Sequence, residues 1–254
     1  MNRPPSRSFL APFTKAFQEG RKGLAWLIDP DKTKVSDWSA EVLHAIRDHI
    51  DYLFLGGSLL EHYRFEELSR HFREALDKPV VLFPGSSLHV HPGADAILFL
   101  SLISGRNPEL LIGRQIEAAP LVRQAGMEVL PTGYMLIEGG RTTSAHYMSQ
   151  TAPLPHDKPQ IAACTAMAGE LLGLKALYLD AGSGAYQAVS PEMVAAVRQA
   201  VSLPLIVGGG IRSSTQAAAL YAAGANVIVV GSALEDTPAM LEELGNWRVA
   251  LKSS

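Results

Sequence analysis

Eight short apolar runs punctuate the chain, separated by longer segments of helical period. They are Leu24–Asp29, Tyr52–Leu55, Val80–Phe83, Ala96–Leu100, Glu128–Thr132, Ala176–Asp180, Leu205–Val207 and Val227–Val230. Most are apolar throughout rather than alternating, which is the pattern of parallel strands covered on both faces. Between them, Asp37–Ile50 reads as a helix whose Trp38, Val42, Leu43, Ile46 and Ile50 share one stripe. "SPEMVAAVRQAV" opens with Ser190 as N-cap and Pro191 at the first helical position. "SSTQAAALYAAG" has a similar serine cap and ends at Gly224.

Eight strand–helix units in 254 residues predict an α/β fold, a single-domain (β/α)8 barrel of the TIM type over residues 1–254. An open doubly wound sheet is the rival. The glycine-rich ends of the last two units favour the barrel. Two places break the alternation. Pro84–Asp95 is too short and too rich in Pro and Gly for a full helix, so the third helix is expected to be replaced by a loop or extended segment. Glu138–Gln160 is a long stretch rich in Gly, Thr, Ser and Pro, placed where loops cover barrel active sites; a plain surface loop is the alternative.

Composition narrows the class. Hydrophobic residues make up 47% and charged residues 19%, with a net charge of −3, which disfavours disorder and leaves no nucleic-acid footprint. The single cysteine, Cys164, excludes an internal disulfide and fits a reducing compartment; its apolar helical context reads as core rather than nucleophile. "MNRPPSRSFLAPF" is a poor signal peptide, and no run is long enough to span a membrane, so a cytoplasmic protein is expected.

The chemistry gathers at strand ends. "LPLIVGGGIRSS" and "NVIVVGSALED" each run from a strand through glycine into a helix start. Unblocked amides there reach phosphate oxygens, and the helix N-terminus adds donors. In barrels this site recurs after strands 7 and 8. Tyr178 and Asp180 are two apart and project to one face of the sixth strand. Asp180 can accept a substrate hydroxyl's hydrogen bond or its proton, or merely cap the next helix. Asp29 and Asp31 close the first strand, and Ser58 follows the second. Such oxygens suit Mg²⁺, although capping explains the aspartates equally well. His89 and His91 share a face but lack a third ligand.

Together "WLIDPDK", "FLGGS", "YLDAGSGA", "VGGGIRS" and "VVGS" resemble, in order and spacing, the geranylgeranylglyceryl phosphate synthase family, which includes heptaprenylglyceryl phosphate synthases. The resemblance spans Leu24 to Ser232. It implies a Mg²⁺-dependent prenyltransferase joining sn-glycerol 1-phosphate to a polyprenyl diphosphate, geranylgeranyl diphosphate foremost, through an ether bond. It implies Asp29 and Ser58 as metal ligands. Tyr178, Leu179, Asp180, Ala181, Gly182, Ser183, Gly184, Gly209, Gly210, Gly231 and Ser232 are implied as glycerol-phosphate contacts, with Asp180 and Tyr178 catalytic. A homo-oligomer and a peripheral contact for the lipid product are also implied. Two positions depart from the pattern. Leu27 stands where some bacterial relatives have lysine, and Asp180 replaces a more usual glutamate, leaving room for a bridging water. The other readings are a sugar-phosphate isomerase or cyclase barrel, and a non-catalytic phospholigand or prenyl-lipid binding protein.

Overall fold

A computed structural model describes residues 7–231 and residue 243. Its strands are β1 (Gly23–Ile28), β2 (Tyr52–Leu55), β3 (Val80–Leu82), β4 (Ala96–Leu102), β5 (Glu128–Leu136), β6 (Ala176–Asp180), β7 (Leu205–Gly208) and β8 (Val227–Val230). All pair in parallel and in sequence order, and β8 closes onto β1, so the sheet is a barrel and not the open alternative. The helices are α1 (Leu10–Gln18), α2 (Ala40–Arg47), α3 (Phe65–Leu76), α4 (Arg114–Ala125), α5 (Ser144–Ser149), α6 (Pro159–Leu171), α7 (Pro191–Ala200) and α8 (Ser214–Ala222).

The period-two geometry of each strand sorts its side chains into two cores. Ala25, Phe54, Leu98, Leu130, Tyr178, Ile206 and Val229 fill the lumen. Their neighbours in sequence, such as Trp26, Leu53, Leu177 and Ile228, pack outward against the helices. The lumen is closed at its N-terminal end by α1, whose approach buries Phe9 and Phe13 against Tyr52. Glu128 at the start of β5 fixes that plug by accepting the Phe9 and Leu10 amides at 2.6 and 2.7 Å.

Ser190 caps α7 with Pro191 in its first turn, and Ser213 caps α8, as their sequences require. No full helix follows β3; one 3-10 turn, Ser87–His89, stands there. Three expectations need correcting. The segment Asp37–Ile50 is not one helix: a 3-10 turn ends at Asp37, and α2 starts after the Ser39 cap. Trp38 precedes that cap and packs on Trp26, while Val42 is exposed. The stretch 138–160 is not all loop, because it holds α5 and ends inside the first turn of α6. Cys164 is exposed, since α6 turns Ala162, Ala163, Ala166 and Gly169 inward instead.

Candidate active site

At the C-terminal mouth the lumen ends in polar groups. Asp180, the last residue of β6, is 6% exposed. Its Oδ2 accepts the Tyr134 hydroxyl at 2.6 Å, and its Oδ1 accepts the Gly182 amide at 2.7 Å. Burial raises the carboxyl above its ordinary value, and the hydrogen bonds from Tyr134 and Gly182 and the nearby His146 offset only part of that rise. The same burial, with Asp180 alongside, pushes the Tyr134 and Tyr178 phenols well above theirs. A carboxylate made more basic by burial, fixed by a phenol that keeps its proton, is suited to accept a proton from a bound hydroxyl.

Two glycines make room for this arrangement. A Cβ on Gly208 would meet the Tyr178 hydroxyl at 2.6 Å. One on Gly209, whose φ is +82°, would stand 2.5 Å from Asp180 Oδ1 and from the Gly182 amide. The tips of β6 and β7 therefore touch through bare backbone, and Ala181 donates its amide to the Gly208 carbonyl. Gly231 directly follows β8, and a Cβ on it would lie 3.5 Å from the Leu27 carbonyl oxygen. The structure thus gathers Tyr178, Asp180, Gly182, Gly209 and Gly231 at one end of the barrel. Ser183, Gly184 and Gly210 belong to the same loops. Leu179 and Ala181 send their side chains into the outer core, leaving only their backbone toward the mouth. Ser232 lies outside the described residues.

Across the mouth, the tips of β1 and β2 meet. A Cβ on Gly57 would lie 3.5 Å from Asp29 Oδ1, which places the Ser58 turn against Asp29. Asp29 Oδ1 accepts the Asp31 amide at 3.1 Å, and Oδ2 is 3.3 Å from Lys32 Nζ. Asp31 does something else. Its oxygens accept the Glu61 and His62 amides at 2.6 and 2.8 Å, fastening the β2–α3 loop to the β1 tip. Burial raises its carboxyl, but those amides and His62 outweigh it and hold it below the ordinary value. Among the described residues no three His, Cys, Asp or Glu side chains converge on a metal site. Mg²⁺ needs only one or two protein carboxylates when substrate oxygens complete its shell, so Asp29 with Ser58 fits that ion and not a caged one. His89 and His91 are occupied locally: their Nδ1 atoms accept the Gly85 and Gly93 amides.

A cavity of about 530 Å³ runs from Gly57 and Ser58 at the β2 tip to Tyr134 of β5. It occupies the place left by the absent helix, lined by Leu88 and Val90 of the β3–β4 segment, Phe99 and Leu102 of β4, and Met148 of α5. Phe83 and Tyr134 belong both to this lining and to an aromatic cluster with Tyr178, whose ring stacks on Phe83 at 5.1 Å. Sequence reading missed Tyr134 because β5 runs to Leu136 rather than stopping at Thr132. The inward alternation Leu130, Thr132, Tyr134 was the available signal.

The chain is similar to known proteins in sequence and in fold. The PcrB family model matches residues 18–246. The geranylgeranylglyceryl phosphate synthase of Spirosoma linguale is 51% identical over 89% of this chain and 90% of its own length. That of Methanothermobacter thermautotrophicus is 42% identical over 83% and 85%. The crystal structure of (S)-3-O-geranylgeranylglyceryl phosphate synthase from Thermoplasma acidophilum, in complex with substrate sn-glycerol-1-phosphate, superposes with a TM-score of 0.85 at 29% identity, covering 94% of this chain and 98% of that one.

Proposed function

The chain belongs to the PcrB family, and from that premise we propose that it is a prenyltransferase making geranylgeranylglyceryl phosphate from sn-glycerol 1-phosphate and geranylgeranyl diphosphate. The observation that carries this reading is Asp180: a buried carboxylate packed against the glycine tip of β7 and hydrogen-bonded to Tyr134, which lines the largely apolar cavity. An isomerase or cyclase of phosphorylated sugars has no use for that cavity.

The glycerol phosphate anchors its phosphate on the amides around Gly209, Gly210 and Gly231, with the β6 loop from Gly182 to Gly184 holding the glycerol. Its free primary hydroxyl then faces Asp180. The prenyl chain lies in the cavity, its diphosphate toward Asp29 and Ser58. Those two residues would hold Mg²⁺, whose charge would stabilise the departing diphosphate. As the C–O bond to diphosphate breaks, its electron pair leaves with the diphosphate and positive charge develops at the allylic C1. The Phe83, Tyr134 and Tyr178 rings supply π-density to that charge. The glycerol oxygen forms the new C–O bond, and its proton passes to Asp180. Tyr134 stays protonated throughout and keeps the carboxylate oriented.

Incubating the purified chain with labelled geranylgeranyl diphosphate and glycerol 1-phosphate tests the reading. It expects a phosphatase-sensitive ether lipid; binding of both ligands without product would leave a binding protein instead.

A further inference from the structure

The chain has seven tyrosines, all within the described residues. Tyr52, Tyr178 and Tyr221 are buried, and Tyr134 is partly covered at the mouth. The remaining three, Tyr63, Tyr147 and Tyr186, are 61%, 76% and 65% exposed. They stand on the β2–α3, β5–α6 and β6–α7 connections, so every exposed tyrosine lies on the C-terminal face. The exposed apolar residues of the helical wall, such as Ile116 on α4 and Leu171 on α6, are aliphatic. The cavity opens on the same face, because Leu59, Leu88 and Met148 line it and are exposed, Leu59 and Met148 on the same connections as Tyr63 and Tyr147.

We infer that this face docks on a phospholipid bilayer, with Tyr63, Tyr147 and Tyr186 seated in the headgroup layer and the cavity mouth opening onto it. Tyrosine suits that layer because its ring is apolar and its tip polar. Charge agrees with the placement. The Arg141 guanidinium lies 5.2 Å over the Tyr186 ring, and Arg64 follows Tyr63. Neither makes an ion pair among the described residues, which leaves both charges available to lipid phosphates. Glu61 and Glu138 are exposed on the same loops, so insertion of the rings rather than net charge drives the contact. A loop-borne rim fits a fluid surface, which adapts to scattered side chains as a rigid partner does not. The inference rests on the proposed lipid chemistry of the cavity: a substrate and a product with long prenyl tails reside in membranes, and this face lets them pass without crossing water.

The test sediments the full chain with phosphatidylcholine–phosphatidylglycerol vesicles. Wild type is expected in the pellet, and Y63S/Y147S/Y186S is expected to partition about tenfold less, with unchanged melting temperature. Transfer from detergent-dispersed geranylgeranyl diphosphate to glycerol 1-phosphate should be equal in both proteins. That assay isolates the proposed function, since its failure in wild type would remove the enzyme reading whatever the vesicles show. Wild type remaining in the supernatant, or equal pelleting of both proteins, overturns the docking surface. So does loss of self-association by the triple variant, read by light scattering, in place of vesicle binding, because the face would then join copies of the chain.

Discussion

Tyr134 donates its phenolic hydrogen to Asp180 across 2.6 Å, from the part of β5 that extends four residues beyond its expected end at Thr132. The strands are neighbours, with Tyr134 opposite Tyr178 and Leu136 opposite Asp180, so the phenol reaches diagonally along the barrel wall. Burial and the adjacent carboxylate together keep Tyr134 protonated. Asp180 thus has a donor that never becomes a competing base, and its ionised form is the one that this bond favours.

Removing the donor should therefore make Asp180 harder to ionise. In Tyr134→Phe the acid limb of the turnover–pH profile, already displaced upward by burial, is expected to move further up, because the lost hydrogen bond had been lowering the carboxyl. Turnover should fall about tenfold or more, the scale of a hydrogen bond to a charged group. An unmoved acid limb would mean that Asp180 is not the titrating group.

Gly209→Ala should damage the site through volume as well as backbone. The added methyl would sit 2.5 Å from Asp180 Oδ1, and φ is +82°. Gly173→Ala is the matched control, with φ +88° and nothing within 4 Å. Urea unfolding should show a loss of about 1 kcal/mol in the control, the cost of left-handed backbone. The loss at Gly209 should be about 2 kcal/mol or more, together with weakened glycerol-phosphate binding.

Asp31→Asn should loosen the β2–α3 loop, seen as faster hydrogen exchange at the Glu61 and His62 amides that Asp31 holds. The sign with pH follows from its lowered folded value. The contribution to stability is complete above the ordinary aspartate value of 3.8 and is lost as pH falls through the lower folded value. Wild type should exceed the variant in urea midpoint at neutral pH, and the gap should close in strong acid.

Asp29→Asn should separate the two halves of the mouth. The Mg²⁺ concentration for half-maximal turnover is expected to rise about tenfold or more, while glycerol-phosphate affinity changes little. Equal loss of both would remove Asp29 from the metal role.

Much of this is legible in the sequence, for physical reasons. Strands buried on both faces write themselves as unbroken apolar runs, so all eight were found, and Tyr52–Leu55, Ala176–Asp180 and Val227–Val230 kept both their ends. Prolines and glycines between Pro84 and Asp95 announced the missing helix, whose place the cavity takes. What escaped depends on partners distant in sequence. The α1 plug has no signature in the local sequence, because Glu128, far along the chain, holds its first amides. Asp31 looked equivalent to Asp29, and only the amides of Glu61 and His62 reveal its separate task. The α5 turn, with Thr143 donating its amide to His146 Nδ1, is too short for its periodicity to show.

The central claim is that Asp180 takes the proton of a glycerol-phosphate hydroxyl as it is prenylated. The most direct measurement sets turnover of Asp180→Asn, with geranylgeranyl diphosphate as donor, against its calorimetric affinity for glycerol 1-phosphate. Asparagine can keep the Gly182 hydrogen bond through its one oxygen and donate its amide to the Tyr134 hydroxyl oxygen, so the fold and the phosphate corner should persist. Affinity is expected to stay within a few-fold, while turnover falls about a hundredfold or more. Turnover near that of wild type would contradict the account.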